Sequence, residues 1–225
     1  MRLLLVSEPD ESASALVRIL AGLTRPSGGH VEIAGLTDGS AAGWARRVAH
    51  LGPAPGIHGW MTPRQALDLA ARLLGLGPAD AQRRVERAMA WVRIPPGAVD
   101  RPVARGGAPL LERTGLAAAL IGDPEVLLLD EPLRSIEAGE RARMLRLPGR
   151  RRTLLLASRY PSSEAGLVTH VGLLQEGRIR LVAPVAELES EGLELTHRGI
   201  ADLAARKDDA AAATDPARVS AAASQ

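Results

Sequence analysis

Two stretches of the chain concentrate groups that could do chemistry. One is Glu125-Val-Leu-Leu-Leu-Asp130, an apolar run that ends in a carboxylate and is followed at once by a second, Glu131. A buried strand closing on two acids has little structural reason to exist. The other is Ser7-Glu-Pro-Asp-Glu-Ser-Ala-Ser-Ala15, a polar, acidic segment between an apolar run at 2–6 and a helix-spaced pattern at 11–23. Acids at that point suit the start of the helix, whose unpaired N–H groups and dipole favour carboxylates. Other chemistries are excluded or unsupported. The chain has no cysteine, which removes disulfides, Cys-ligated zinc, Fe–S clusters and thiol catalysis. His30, His50, His58, His170 and His197 lack metal-ligand spacing, and there is no Gly-x-Ser-x-Gly elbow. Arg141, Arg143, Arg146 and Arg150 to Arg152 form a basic cluster without interleaved aromatics. It reads as a solvated face, with no nucleic-acid partner. Trp44, Trp60 and Trp91 read as packing residues.

The composition is that of a globular chain. It has 225 residues, 46% hydrophobic and 24% charged, enough for one domain with a sizeable core. The pI of 9.8 overstates the basicity, because the net charge is only +2. One lysine, Lys207, and one tyrosine leave almost nothing to titrate between histidine and arginine. No apolar run approaches the roughly 18 residues of a membrane span. The start reaches Ser7 and Glu8 too soon for a signal peptide, so the expected compartment is the cytosol.

The elements that must position the acids follow from periodicity and punctuation. Apolar strands are expected at 2–6, 48–51, 125–130 and 153–158, a short strand at 30–34, and a helix at 11–23. Gly52-Pro-Ala-Pro-Gly56 forbids regular structure. Thr62-Pro63 starts a helix, with Thr at the N-cap and Pro at the first turn. Further helices are expected at 79–92, 116–121 and 139–147, and a hairpin around Glu176-Gly177. Apolar strands separated by helices predict an α/β fold with a mainly parallel sheet covered on both faces.

Three segments together resemble the ATP-binding subunits of ABC transporters, bacterial export types in particular. They are Arg18-Ile-Leu-Ala-Gly-Leu-Thr-Arg-Pro-Ser-Gly-Gly-His-Val-Glu-Ile-Ala-Gly35, Met61-Thr-Pro-Arg-Gln-Ala-Leu-Asp-Leu-Ala-Ala-Arg-Leu-Leu-Gly-Leu76 and Gly122-Asp-Pro-Glu-Val-Leu-Leu-Leu-Asp-Glu-Pro132. They resemble the helix and hairpin after the phosphate loop, the start of the helical lobe and the Walker B strand. The resemblance covers roughly residues 2–190. It implies a P-loop NTPase-like sheet with an inserted helical lobe at about 61–113, within a domain at 1–205, and a disordered tail at 206–225. It also implies ATP and magnesium as ligands. Asp130 and Ser14 would face the metal, and Glu131 would polarise the attacking water.

The residues at the family's other motif positions depart from its pattern. The phosphate loop needs glycines, whose N–H groups close around phosphate, and a lysine that reaches the β- and γ-phosphates. Here Ser7, Asp10 and Ser12 stand at glycine positions and Ala13 at the lysine, followed by Ser14 and Ala15. No realignment restores the lysine, because the only one is Lys207. Glu8, Asp10 and Glu11 add negative charge. One unit repulsion at about 4 Å with an effective dielectric near 20 costs about 4 kcal/mol, which turns a micromolar affinity into roughly millimolar. The segment is either a vestigial loop that caps a helix or an unusual phosphate loop. The glutamine-loop position falls on Pro53 and the switch-histidine position on Arg159. The signature appears as Ala104-Arg105-Gly106-Gly107-Ala108, keeping two glycines and losing the serine. Glu137 replaces the D-loop aspartate, and the segment that family members carry before the strand at 2–6 is expected to be missing.

The expectation is a degenerate ATP-binding subunit with weak or no hydrolysis. It would serve as a structural or regulatory partner of a membrane permease, at the cytoplasmic face of the cell membrane. It would pair as a homodimer, or as a heterodimer with another ABC ATPase subunit. The alternatives are an active ABC ATPase powering export and a non-functional gene remnant.

Overall fold

The computed structural model describes residues 1–7, 13–33, 35–37, 41–147 and 152–214. Six strands make one sheet: β1 (Arg2–Ser7), β4 (Val48–Leu51), β5 (Val126–Asp130), β6 (Thr153–Ala157), β7 (His170–Gln175) and β8 (Arg178–Pro184), in the order β4-β5-β6-β1-β7-β8. All neighbours run parallel except the β7–β8 hairpin. A separate two-stranded ribbon joins β2 (Glu32–Ile33) to β3 (Leu36–Thr37). The central strands are leucine runs because both of their faces are covered. Leu4, Val6, Leu127, Leu129, Leu154 and Leu156 enter the larger core, while Leu5, Leu128 and Ala157 enter a smaller one on the opposite face. The smaller core is closed by α1 (Ala13–Leu20) and by Trp44 of α2 (Ala41–Arg47).

The helix expected to start at Thr62-Pro63 is present. α3 (Pro63–Leu73) has Thr62 as its N-cap, and Thr62 and Gln65 form a reciprocal capping box. α4 (Pro78–Trp91) follows, then 3₁₀ turns at Pro96–Ala98 and Val103–Gly106. α5 is one continuous helix from Gly107 to Ile121, where a lobe ending near 113 and a separate helix at 116–121 were expected. Thr114 and Gly115 hide the continuity, since both are weak helix formers. In place, the Thr114 hydroxyl donates to the Leu110 carbonyl at 2.7 Å. Gly115 lets Pro55 and Leu51 approach so closely that an added Cβ would lie 2.8 and 2.9 Å from them.

After β5 come α6 (Ala138–Leu145), a 3₁₀ turn at Pro161–Glu164, and the β7–β8 hairpin. The hairpin turns at Glu176 and Gly177, with φ of 51° and 70°, the left-handed pair of a type I′ turn. α7 (Val185–Ser190) and α8 (His197–Thr214) complete the fold. α8 corrects the expected disorder from residue 206. Ile200 and Leu203 anchor it in the core, and ion pairs Arg180–Asp208, Arg206–Glu191 and Lys207–Glu187 tie its second half to β8 and α7. A lack of large side chains means little burial, but alanine has the highest helix propensity. The rest of the expected tail, 215–225, lies outside the described residues. Among the described residues no helix is long and apolar enough to cross a membrane.

Two substitutions test this packing. Thr62→Ala removes the cap and should lower the unfolding free energy by about 1 kcal/mol in urea titration. Gly115→Ala would gain about 1 kcal/mol of helix propensity. The clash with Pro55 and Leu51 should outweigh it, giving a net loss within the roughly 1–3 kcal/mol range of overpacked cores.

Candidate functional site

In a parallel sheet the carboxyl ends of the strands share one edge, where open α/β sheets bind ligands. Four stretches meet that edge here. Ser7 ends β1, Asp130 ends β5 with Glu131 beyond it, Ser158 and Arg159 follow β6, and the Pro53 loop follows β4. The register sets Asp130 beside Ala157, and Ala157 beside Leu5. By alternation Asp130 faces the α1 side, and its residue is 3% exposed. α1 starts at the same edge with Ala13, Ser14 and Ala15. The sheet therefore brings together Ala13, Ser14, Ala15, Asp130, Glu131, Pro53 and Arg159. Ser12, with Glu8, Asp10 and Glu11, lies outside the described residues.

Glu131 sits at φ 47°, a conformation uncommon for a non-glycine residue and often found at functional sites. Its backbone N–H donates to Ala157 O at 3.0 Å. Both carboxylate oxygens are already engaged. Oε2 accepts from Arg134 Nε at 2.7 Å, and Oε1 from the Arg159 backbone N–H at 2.6 Å and Arg159 Nε at 3.4 Å. A general base needs a lone pair aimed at its reactant. Here two guanidinium groups hold the acid instead.

Arg134 is fixed in turn by a buried network that the sequence did not reveal. Its Nη2 donates to Ser158 Oγ and, at 3.3 Å, to Glu164 Oε1. Its guanidinium lies 5.0 Å over the Tyr160 ring. Glu164 is fully buried and accepts two bonds from Arg141 Nη2, at 2.7 and 2.8 Å, and one from Ser158 Oγ at 2.9 Å. Arg141 Nε donates to Pro132 O at 3.0 Å. The only hint in the sequence was Arg134, three residues after Glu131. Glu164, in a Pro-Ser-Ser-Glu turn, looked like any surface acid.

At α1, Ala13 is buried in the smaller core. Its methyl offers neither charge nor a hydrogen-bond donor. Lys207 is held on α8, 2.7 Å from Glu187. Ser14 and Asp130 bring side-chain oxygens to this edge. His50 of β4 is a neighbour the sequence did not flag. Burial pushes its pKa below the usual histidine value, against an opposing pull from Asp130, and its Nε2 is buried without a partner among the described residues.

Arg105, Gly106 and Gly107 are placed elsewhere, exposed at the start of α5 in the lobe. Val103 N–H donates to Met61 O at 2.8 Å and Ala104 N–H to Gly59 O at 3.0 Å. Both glycines have steric reasons. Gly107 has φ 64° with ψ −162°, and a Cβ on Gly106 would lie 2.5 Å from Leu110. The same loop carries Trp60, stacked on His58 and 69% exposed, which corrects its reading as packing; Trp44 and Trp91 do pack. The basic cluster also divides. Arg141 is buried against Glu164, Arg143 stacks on Trp91, and Arg152 pairs with Asp123, so these three do not form a solvated face.

The chain is similar to known proteins. A profile described as "ABC transporter" matches residues 13–134. The taurine import ATP-binding protein TauB of Mesorhizobium japonicum is 34% identical over 76% of this chain and 64% of its own length. The daunorubicin resistance ATP-binding protein DrrA3 of Streptomyces coeruleorubidus is 31% identical over 79% of this chain and 58% of its own. The chain thus spans less than two thirds of these relatives. Among solved structures, the dimeric ATP-binding cassette MJ0796 bound to ADP and phosphate superposes with a TM-score of 0.73. It is 12% identical and covers 81% of this chain and 84% of that one. At that identity the likeness establishes the fold.

The buried network has a measurable signature. Glu164→Ala leaves Arg141 buried without its acid and should cost about 3–5 kcal/mol in chemical denaturation. The double variant Arg141→Met with Glu164→Leu should lose clearly less.

Proposed function

The chain belongs to the ABC transporter family, and on that premise we propose that it is a degenerate ATP-binding subunit. It serves as a structural or regulatory partner of a membrane permease, at the cytoplasmic face of the membrane, and turns over little ATP. The observation that carries this reading is Ala13. A buried methyl stands at the lysine position, and the chain's only lysine is paired with Glu187. The residues at the sheet edge fit magnesium better than they fit the triphosphate it would accompany. Ser14 and Asp130 offer oxygens, but Ala13 supplies no cation. Glu131 supports the reading further, because Arg134 and Arg159 occupy the oxygens a base would use.

A second ATPase subunit fits the lobe. Gly106 and Gly107 are exposed at the start of α5, where this chain would complete a site on its partner while its own site stays idle. The exposed Trp60–His58 stack beside that segment, with Leu69 and Leu73 of α3, provides apolar surface for the permease.

Equilibrium calorimetry with Mg-ATP tests the proposal. The unaltered chain should show no binding up to millimolar nucleotide. The variant carrying Asp10→Gly, Ser12→Gly and Ala13→Lys should regain it, with about 2.7 kcal/mol of added stability at a hundredfold its dissociation constant. Micromolar binding by the unaltered chain, with hydrolysis abolished in Glu131→Gln, would overturn the reading in favour of an active ATPase.

A further inference from the structure

Outside the sheet edge lies an unexplained cavity of about 850 Å³ between α4, the end of α5, α6 and the start of β6. Its size falls within the range of about 300–1,000 Å³ typical of small-molecule sites. Five arginines line it, Arg83, Arg84, Arg87, Arg143 and Arg152, against two acids, Asp80 and Asp123. Its remaining wall is largely apolar, including Trp91, Leu120, Ile121 and Leu147.

Part of this charge has structural work. α4 ends at Trp91 and α5 at Ile121, and both terminal carbonyls accept from arginines: Trp91 O from Arg143 Nη2 at 2.9 Å, and Ile121 O from Arg84 Nη1 at 3.1 Å. Cations there complement the negative helix ends. Arg152 pairs with Asp123 and donates to Pro124 O. These bonds leave a surplus. Arg83 and Arg84 share a single carboxylate, Asp80, at 3.0 Å each. Arg87 has no ion-pair partner among the described residues. Arg143 has a buried Nε–H without an acceptor among the described residues. Burial and the nearby Arg93 both push its pKa down, so an added anion would relieve a crowded cation.

We propose that this cavity binds a small amphiphilic anion, a phosphate monoester on an apolar body. The guanidinium forks of Arg83, Arg87 and Arg143 meet the phosphate, and Trp91, Ile121 and Leu147 meet the body. Guanidinium matches phosphate oxygens in paired, charge-assisted bonds, which a point-charge ammonium does not. A lipid headgroup and a free organic phosphate both carry this chemistry.

The probe is phenyl phosphate, titrated calorimetrically into the full chain, with inorganic phosphate for comparison. The variant is Arg83→Ala with Arg87→Ala; these residues are exposed and make no bond to the backbone, so the fold and its melting temperature should hold. Phenyl phosphate should bind more tightly than inorganic phosphate, and its affinity should fall at least tenfold in the variant. No binding, or binding that the variant leaves unchanged, overturns the proposal; the second result places the anion elsewhere, such as the sheet edge. Sedimentation with phosphatidylcholine vesicles containing phosphatidic acid identifies the source. Cosedimentation that the variant loses assigns a lipid headgroup. Binding of the soluble probe without cosedimentation assigns a free phosphate.

Discussion

Glu164 has no contact with water, and a carboxylate so placed must be surrounded by donors or it cannot stay charged. That requirement organises the loops beyond β5 and β6. Arg141 reaches it from α6, Ser158 from the end of β6, and Arg134 from the turn after Glu131. Three segments are thereby locked to one acid. Buried ion pairs add little net stability compared with well-packed apolar residues. What this one supplies is position: Arg134 can hold Glu131 because Ser158 and Glu164 hold Arg134.

The same geometry sets the competition at Glu131. A carboxylate can serve an incoming reactant or its own neighbours. Here two arginines bond it, one of them through a backbone N–H as well. The strain at Glu131, with φ 47°, is sustained by those bonds and by the link to Ala157. At this edge the side chains of Glu131, Arg134 and Arg159 thus satisfy one another.

The sheet was largely legible in the sequence because its strands are apolar runs bounded by clear breakers, and Thr62-Pro63 announced the lobe. The signals that failed did so for physical reasons. Thr114 and Gly115 weaken local helix propensity, yet tertiary packing on Pro55 and Leu51 carries α5 through them. The alanine-rich end of α8 has nothing to bury, so burial patterns read it as disorder while propensity and three ion pairs keep it helical. At the site, the positions of Asp130, Glu131 and Arg159 followed from strand ends. The Arg134–Glu164–Arg141 network did not, because its members lie on different elements and nothing in their spacing marks Glu164 as buried. The arginine-lined cavity was hidden for the same reason, as α4 and β6 are far apart in the chain.

The Lys207–Glu187 pair has a practical consequence. The chain has one side-chain amine, and it sits at the corner of α7 and α8, where it is 44% exposed. Lysine-directed cross-linkers, acyl-transfer labels and acetylating reagents therefore have a single side-chain address. They report on that corner alone and leave the carboxyl edge of the sheet chemically silent. A fluorophore coupled there would mark one defined point on the molecule without touching Asp130, Glu131 or Arg159 at that edge.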